Sequence, residues 1–216
     1  MADSPWMLLV YRVPTEPASK RVTIWRDLKR LGSFYLQQCV CVLPDRHDLR
    51  AEIERITEKI ETLGGEHTLF EIPRLRAQDE ARIVESFRAL RNHEYQEIIE
   101  ECETKFLKEI EFEHFRQNYT FEEAEEIGQD LEKIRRWFDK IVARDWFSAS
   151  LRPEVERWIE RCAELLSDFE HTVYQRSPDD AATEGAEPLQ AMLRPRPLPK
   201  LDTVPQSSKD SEGTGT

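Results

Sequence analysis

The sequence predicts an α+β protein in which a small sheet with two helices precedes three longer helices. Three observations predict it. Short stretches rich in β-branched and aromatic residues alternate with two amphipathic helices over the first third of the chain. Apolar residues then recur at helical spacing from about Gln78 to Arg176. After Ser177 the composition shifts to Pro, Ser, Gly, Asp and Glu with no apolar period.

The first stretch, "WMLLVYRV" at residues 6–13, is apolar on both alternating faces as far as Tyr11, the pattern of a strand in the middle of a covered sheet. Pro14 and Pro17 mark a turn, and Thr15 or Ser19 is expected to cap a helix that runs to Leu31 and stops at Gly32. Val22, Trp25 and Leu28 form its expected apolar stripe. "SFYLQQCVCVLP" reads as one bent strand or a tight pair. The next helix carries Leu49, Ile53, Ile56, Ile60 and Leu63 on one face and ends at Gly64-Gly65, and "EHTLFEIP" supplies a last strand. The order βαβ(β)αβ is ferredoxin-like, with helices on one face of the sheet.

The second region is helical throughout. Its first helix, near 78–117, offers Ile83, Phe87, Leu90, Ile98, Cys102, Phe106 and Ile110. The next steps by three and four through Ala124, Ile127, Leu131, Ile134, Phe138 and Ile141, with Thr120 and Glu123 as a capping box. The last, with Pro153 in its first turn, offers Val155, Trp158, Cys162, Leu165, Phe169 and Val173. Each helix has one apolar stripe and a charged back, which an antiparallel three-helix bundle satisfies. The expected organisation is a ferredoxin-like domain over 1–76, a helical bundle over 77–176 and a disordered tail over 177–216.

Charge is unevenly placed along a chain of net charge −12. Residues 1–75 hold 11 Lys/Arg and 11 Asp/Glu, whereas residues 76–176 hold 16 and 25, a net of −9. An acidic body repels phosphate backbones, so any nucleic-acid contact has to come from a local patch in the first third. The patch on offer is the first helix, with Lys20, Arg21, Arg26, Lys29 and Arg30. Arg26 and Arg30 stand one turn apart, so two guanidinium groups can grip one phosphate or other oxyanion. A solvated basic face matched by Asp27, or one docked against the acidic helices, accounts for the same residues. No apolar run approaches the roughly 18 residues of a membrane span, and no secretory leader opens the chain, so a cytoplasmic, reducing setting is expected.

The quoted stretches "WMLLVYRVP", "SKRVTIWRDLKRLG", "CVCVLPD" and "YTFEEAEEIGQDLEKIRRWFDKIVARDWF" resemble the N-terminal region of ChrB-type chromate-resistance proteins, from Trp6 to about Tyr174. The resemblance implies a cytoplasmic, non-enzymatic regulator or sensor adaptor of the chromate response, with promoter DNA, chromate or another oxyanion, a protein partner or a second copy as candidate partners. A protein–protein interaction module without DNA binding is the alternative, and a thiol-based reductase a further one. A weaker resemblance is to the ferredoxin-like nuclease subunit of CRISPR adaptation and to PaaX-type repressors. In that nuclease a Tyr-Asp pair ends the first strand; here Tyr11 is followed by Arg12, and a cation cannot hold Mg²⁺.

Other candidates have bland explanations beside them. Chromate could sit at the N-terminus of the first helix near Lys20 and Arg21. Cys39 and Cys41, two apart on an expected strand, are candidate redox thiols or small core residues, and Cys102 and Cys162 fall on apolar stripes. Glu111 with His114, and Asp168 with His171, have the spacing of di-iron bundles but read as surface pairs. Arg144 and Asp145, adjacent near a helix end, are expected to form an internal salt bridge that locks the helical corner, with a ligand-facing role as the alternative. No nucleophile triad, phosphate-cradling glycine loop or zinc spacing occurs, so no catalytic residue, cofactor or metal is expected.

Overall fold

The computed structural model describes residues 5–176, so the reading of 177–216 as disordered lies outside the described residues. Four strands, β1 (Trp6–Arg12), β2 (Phe34–Gln37), β3 (Val40–Pro44) and β4 (Glu66–Ile72), form one sheet in the order β2-β3-β1-β4. Each of its three junctions is antiparallel. With α1 (Ala18–Leu31) after β1 and α2 (His47–Thr62) after β3, this is the ferredoxin-like arrangement. The open alternative for "SFYLQQCVCVLP" resolves into a tight pair: β2 and β3 are joined through Gln38 and Cys39, with Cys39 in the left-handed region at φ 64°.

Alternation along β1 divides the sheet into two faces. Met7, Leu9 and Tyr11, with Cys41 and Leu43 of β3, pack against Ile24 and Leu28 of α1 and Leu49, Ile53, Ile56 and Ile60 of α2. Burying each large apolar side chain contributes about 1.5–3 kcal/mol, so this layer specifies itself. The expected stripe of α2 is the observed one. Of the stripe expected for α1 only Leu28 is buried; Ile24 joins it in facing inward, while Val22 and Trp25 are exposed. The helix is capped by Pro17 without a side-chain hydrogen bond, rather than by Thr15 or Ser19, and ends as expected at Gly32, whose φ is 89°. A side chain at Gly32 would also meet the Trp146 ring at 3.1 Å.

The opposite face presents Trp6 and Val42, and there α3 (Ala77–Glu101) lays down Ile83 and Phe87. Phe87 lies 5.3–6.1 Å, between ring centroids, from Trp6, Phe34, Trp146 and Phe147. The Trp6 indole donates to Glu80 across 3.2 Å. Sheet and helices thereby share one compact unit.

Beyond Phe87 the same helix turns from the sheet to the bundle. Among its buried positions, Arg91, Tyr95, Ile98, Ile99, Cys102, Phe106 and Ile110, the series Arg91, Tyr95 and Ile99 and the series Cys102, Phe106 and Ile110 each step by four, slightly more than an α-turn. A π-helical turn over Cys102–Phe106 takes up the drift before α4 (Leu107–Arg116) completes the rod. Packed on it are α5 (Phe121–Val142), with Ala124, Ile127, Leu131, Ile134 and Ile141 buried, and α6 (Arg152–Arg176), with Val155, Cys162, Leu166, Phe169 and Val173 buried. The Thr120 hydroxyl caps α5 by accepting from the Glu123 N–H at 3.2 Å. The Glu123 carboxylate does not complete the box but accepts instead from Asn118, whose amide also reaches Glu113 at 2.7 Å. One amide thus bridges two carboxylates in the turn between α4 and α5.

The aromatic contact makes Phe87→Ala the costly substitution: chemical denaturation should show a loss of about 3–5 kcal/mol, whereas Phe115→Ala, at a ring 85% exposed, should change stability by no more than about 0.5 kcal/mol. The Glu109 carboxyl is pushed up, first by burial and then by repulsion from Asp130, Glu123, Glu113 and Glu126. A raised carboxyl pKa disfavours the fold above it and ceases to do so once the group is protonated in both states. Glu109→Gln should therefore raise the denaturation midpoint at pH 7, and the gain should vanish below the ordinary carboxylate range.

Candidate functional site

The five cations of α1 divide by what surrounds them. Lys20 turns toward the end of α2 and donates to the Leu63 carbonyl across 3.0 Å, where a cation also complements the helix dipole. Asp27 is held by Lys59 of α2 at 2.6 Å and more loosely by Arg30 at 3.7 Å. Arg21, Arg26 and Lys29 have no carboxylate partner among the described residues, and the Arg30 side chain is 80% exposed. Arg26 and Arg30 share the solvent side one turn apart, as their spacing requires. The patch is therefore neither neutralised by the acidic helices nor folded beneath them. Docking against the acidic helices is not the observed arrangement, whereas a solvated face partly matched by Asp27 is consistent with the Arg30–Asp27 contact.

The C-terminal end of α1 is fixed from the far side of the molecule. Arg144, in the corner after α5, donates to the Lys29 carbonyl at 3.3 Å and to the Lys140 carbonyl at 2.9 Å, and pairs with Glu94 at 3.4 Å. Asp145 accepts from the Tyr95 hydroxyl at 3.1 Å and from the Ala149 N–H at 3.0 Å. The expected Arg144–Asp145 salt bridge is not formed; each residue holds the corner through other partners. Arg91 is buried beside them, with Nε 2.9 Å from the Glu94 carboxylate but off the line of a hydrogen bond. Burial pulls its pKa down. Sequence reasoning missed Arg91, because a charged residue at the place of a core position looks like an interruption of the stripe.

The flank of α1 that carries Val22 and Trp25 overhangs the β2–β3 hairpin and leaves a cleft of about 450 Å³. Tyr11 and Tyr35 lie in it with their hydroxyls 3.0 Å apart, and burial pushes both phenols up, so they stay neutral. Arg21, Gln37 and Gln38 supply its polar atoms, together with Cys39. The spacing of Ile24, Leu28 and Leu31 was a readable signal that α1 has a second apolar stripe. Choosing between the two needed the sheet.

The cysteine expectation needs correction on one point. Cys39 is a turn residue, half-buried, and not a strand neighbour of Cys41 with a parallel side chain. Cys41 is fully buried, and burial raises its thiol to about 12. Cys102 and Cys162 meet inside the bundle, and their hydrogen bond together with burial pushes the Cys102 thiol up. His114 is tied to the Tyr119 hydroxyl at 2.9 Å and His171 to Gln175 at 2.7 Å. Among the described residues no group of three or more His, Cys, Asp or Glu could hold a metal ion, and no helix is long and apolar enough to cross a membrane.

Comparison with known proteins points the same way as the quoted motifs. The family model described as Protein ChrB, N-terminal, matches residues 21–179. The curated Protein ChrB of Cupriavidus metallidurans (strain ATCC 43123 / DSM 2839 / NBRC 102507 / CH34) is 26% identical over 158 residues, covering 71% of this chain and 44% of that protein. The chain thus spans less than half the length of this relative. No solved structure matches. The match takes in α1 from Arg21 onward, β2 to β4 and the whole helical region, leaving out β1: the chain belongs to the ChrB N-terminal family.

Proposed function

We propose that this protein is a cytoplasmic, non-enzymatic module of a chromate response that meets the phosphates of promoter DNA, or an oxyanion, through the outer face of α1. The observation that carries the reading is the set of cations there, on a chain of net charge −12. Arg21 and Arg26 are exposed and without a carboxylate partner among the described residues, Lys29 is half-buried and likewise unpaired, and Arg30 is 80% exposed and held only loosely by Asp27 at 3.7 Å. An acidic protein that leaves cations unmatched on one helix concentrates its attraction for anions at that helix. Arg26 and Arg30 have the donor geometry for a bidentate grip on a tetrahedral anion. Backbone contacts of this kind position a protein on DNA, and the sequence readout would have to come from elsewhere.

Thiol chemistry finds little support by comparison. Only Cys39 among the four is not buried, and a lone half-buried thiol has no resolving partner beside it, since Cys41 faces the core. The nuclease route lacks a carboxylate at the end of β1, where Arg12 is exposed.

One observation favours the interaction-module reading. Phe121 and Tyr174 stand exposed, edge to face at 5.3 Å, beside a groove of about 710 Å³ floored by Ala124, Gly128 and Leu166 between α5 and α6. Such a groove suits a partner's helix. Its signature would be a complex formed by the wild type and lost in Phe121→Ser/Tyr174→Ser, with no DNA shift.

The DNA reading is tested by mobility shift of a duplex carrying the DNA upstream of the protein's own gene, over a series of salt concentrations. Binding should weaken steeply with salt, and Arg26→Ala/Arg30→Ala should lower the log–log slope by about 2, the value for two lost phosphate contacts. No shift at low salt, or a slope unchanged by the double substitution, would overturn it.

A further inference from the structure

We infer that the cleft between α1 and the β2–β3 hairpin is a binding site for a small aromatic carboxylate, separate from the Arg26–Arg30 surface. α1 carries two apolar stripes. Ile24 and Leu28 fill the core, while Val22 and Trp25 remain 42% and 48% exposed although they face a concave surface rather than open solvent. A tryptophan left half-exposed on a helix that already buries another face is a large apolar area with no structural use. The volume of about 450 Å³ falls within the range of ligand sites, and aromatic walls with a few polar groups are their usual lining.

The charge of the site selects the ligand. Arg21 is the charged residue at the cleft, it has no carboxylate partner among the described residues, and no acidic side chain lines the cleft. A bound anion would therefore meet an unspent guanidinium and nothing repulsive. The Tyr11 and Tyr35 hydroxyls use one proton between them, which leaves one phenolic O–H to donate to a carboxylate oxygen. The flat indole of Trp25 and the Tyr35 ring suit a planar apolar body, for which offset stacking adds about 0.5–1.5 kcal/mol to area burial. A second copy of this chain fits less well. A two-fold contact would bring Arg21, Arg26 and Lys29 of both copies together. A simple oxyanion such as chromate or sulfate has no apolar body to fill the walls.

The test uses the full chain and naphthalene-2-carboxylate, with the neutral alcohol 2-naphthalenemethanol as its isostere. Calorimetric titration should show saturable one-to-one binding of the carboxylate with Kd below about 1 mM, a value that corresponds to about −4.1 kcal/mol. Trp25→Ala should abolish binding of both compounds, and Arg21→Gln should weaken only the carboxylate, by tenfold or more. Cys39 gives an independent readout. It is the one cysteine of four that is not buried, so iodoacetamide should label it first, and the carboxylate should slow that labelling at saturation in the wild type but not in Trp25→Ala. Absence of saturable binding, binding indifferent to both substitutions, or equal affinity for the alcohol would overturn the site. Arg26→Ala/Arg30→Ala should leave the titration unchanged, so loss of DNA binding and loss of this site are separable results.

Discussion

Phe87 lies against Trp6, Phe34, Trp146 and Phe147, so segments far apart in the chain meet at one aromatic ring. The rest of the architecture depends on that contact. A four-stranded antiparallel sheet with both helices on one side leaves its other face to water, and Trp6 and Val42 there are too apolar to remain uncovered. The N-terminal half of α3 covers them. Because the same helix continues into the bundle, the cover and the bundle cannot be built independently. Arg144 adds a polar tie from the same corner to the end of α1, so the orientation of the cationic helix is set by residues more than a hundred positions later.

Charge segregation follows from this layout. The bundle needs only one apolar stripe per helix and places carboxylates on the remaining surface, where Glu109 already feels its neighbours. The sheet layer is electrically balanced in sequence, yet its acids are gathered by local partners: Asp45 by Arg50, Asp48 by Arg46, and Asp27 by Lys59. What is left unmatched is the outer side of α1. Surface pairs of this kind contribute little to stability; their effect here is on where the uncompensated charge lies.

Much of the fold was legible because its patterns are redundant. The α2 stripe and the α5 seam each repeat over several turns, so an error in one residue leaves the assignment intact. The glycine stop at Gly32 and the Thr120 cap were readable from single residues, since few conformations suit them. The orientation of α1 was not. Ile24-Leu28 and Val22-Trp25 are both acceptable helical pairs, and only the width of the sheet and the position of the hairpin decide which is buried. Cys39 was misplaced for a related reason. Alternation cannot reveal a two-residue turn inserted between two β-rich runs, because Gln38 and Cys39 carry no glycine or asparagine to announce it. The cations of the candidate surface were readable as a cluster, but the removal of Lys20 to the end of α2 was not, because the acceptor is a backbone carbonyl. The cleft escaped notice entirely, being made by three segments that no local pattern connects.

The π-turn at Cys102–Phe106 keeps one continuous rod running from the sheet to the tip of the bundle, and a rod of that length is a lever. From Phe87 to Arg116 it extends about 44 Å at about 1.5 Å per residue, so a tilt of about 5° where it rests on the sheet moves its far end by about 4 Å. Any small rearrangement beside β1 would thereby be magnified at the acidic end, where Asn118 clasps two carboxylates and aromatic rings stand exposed.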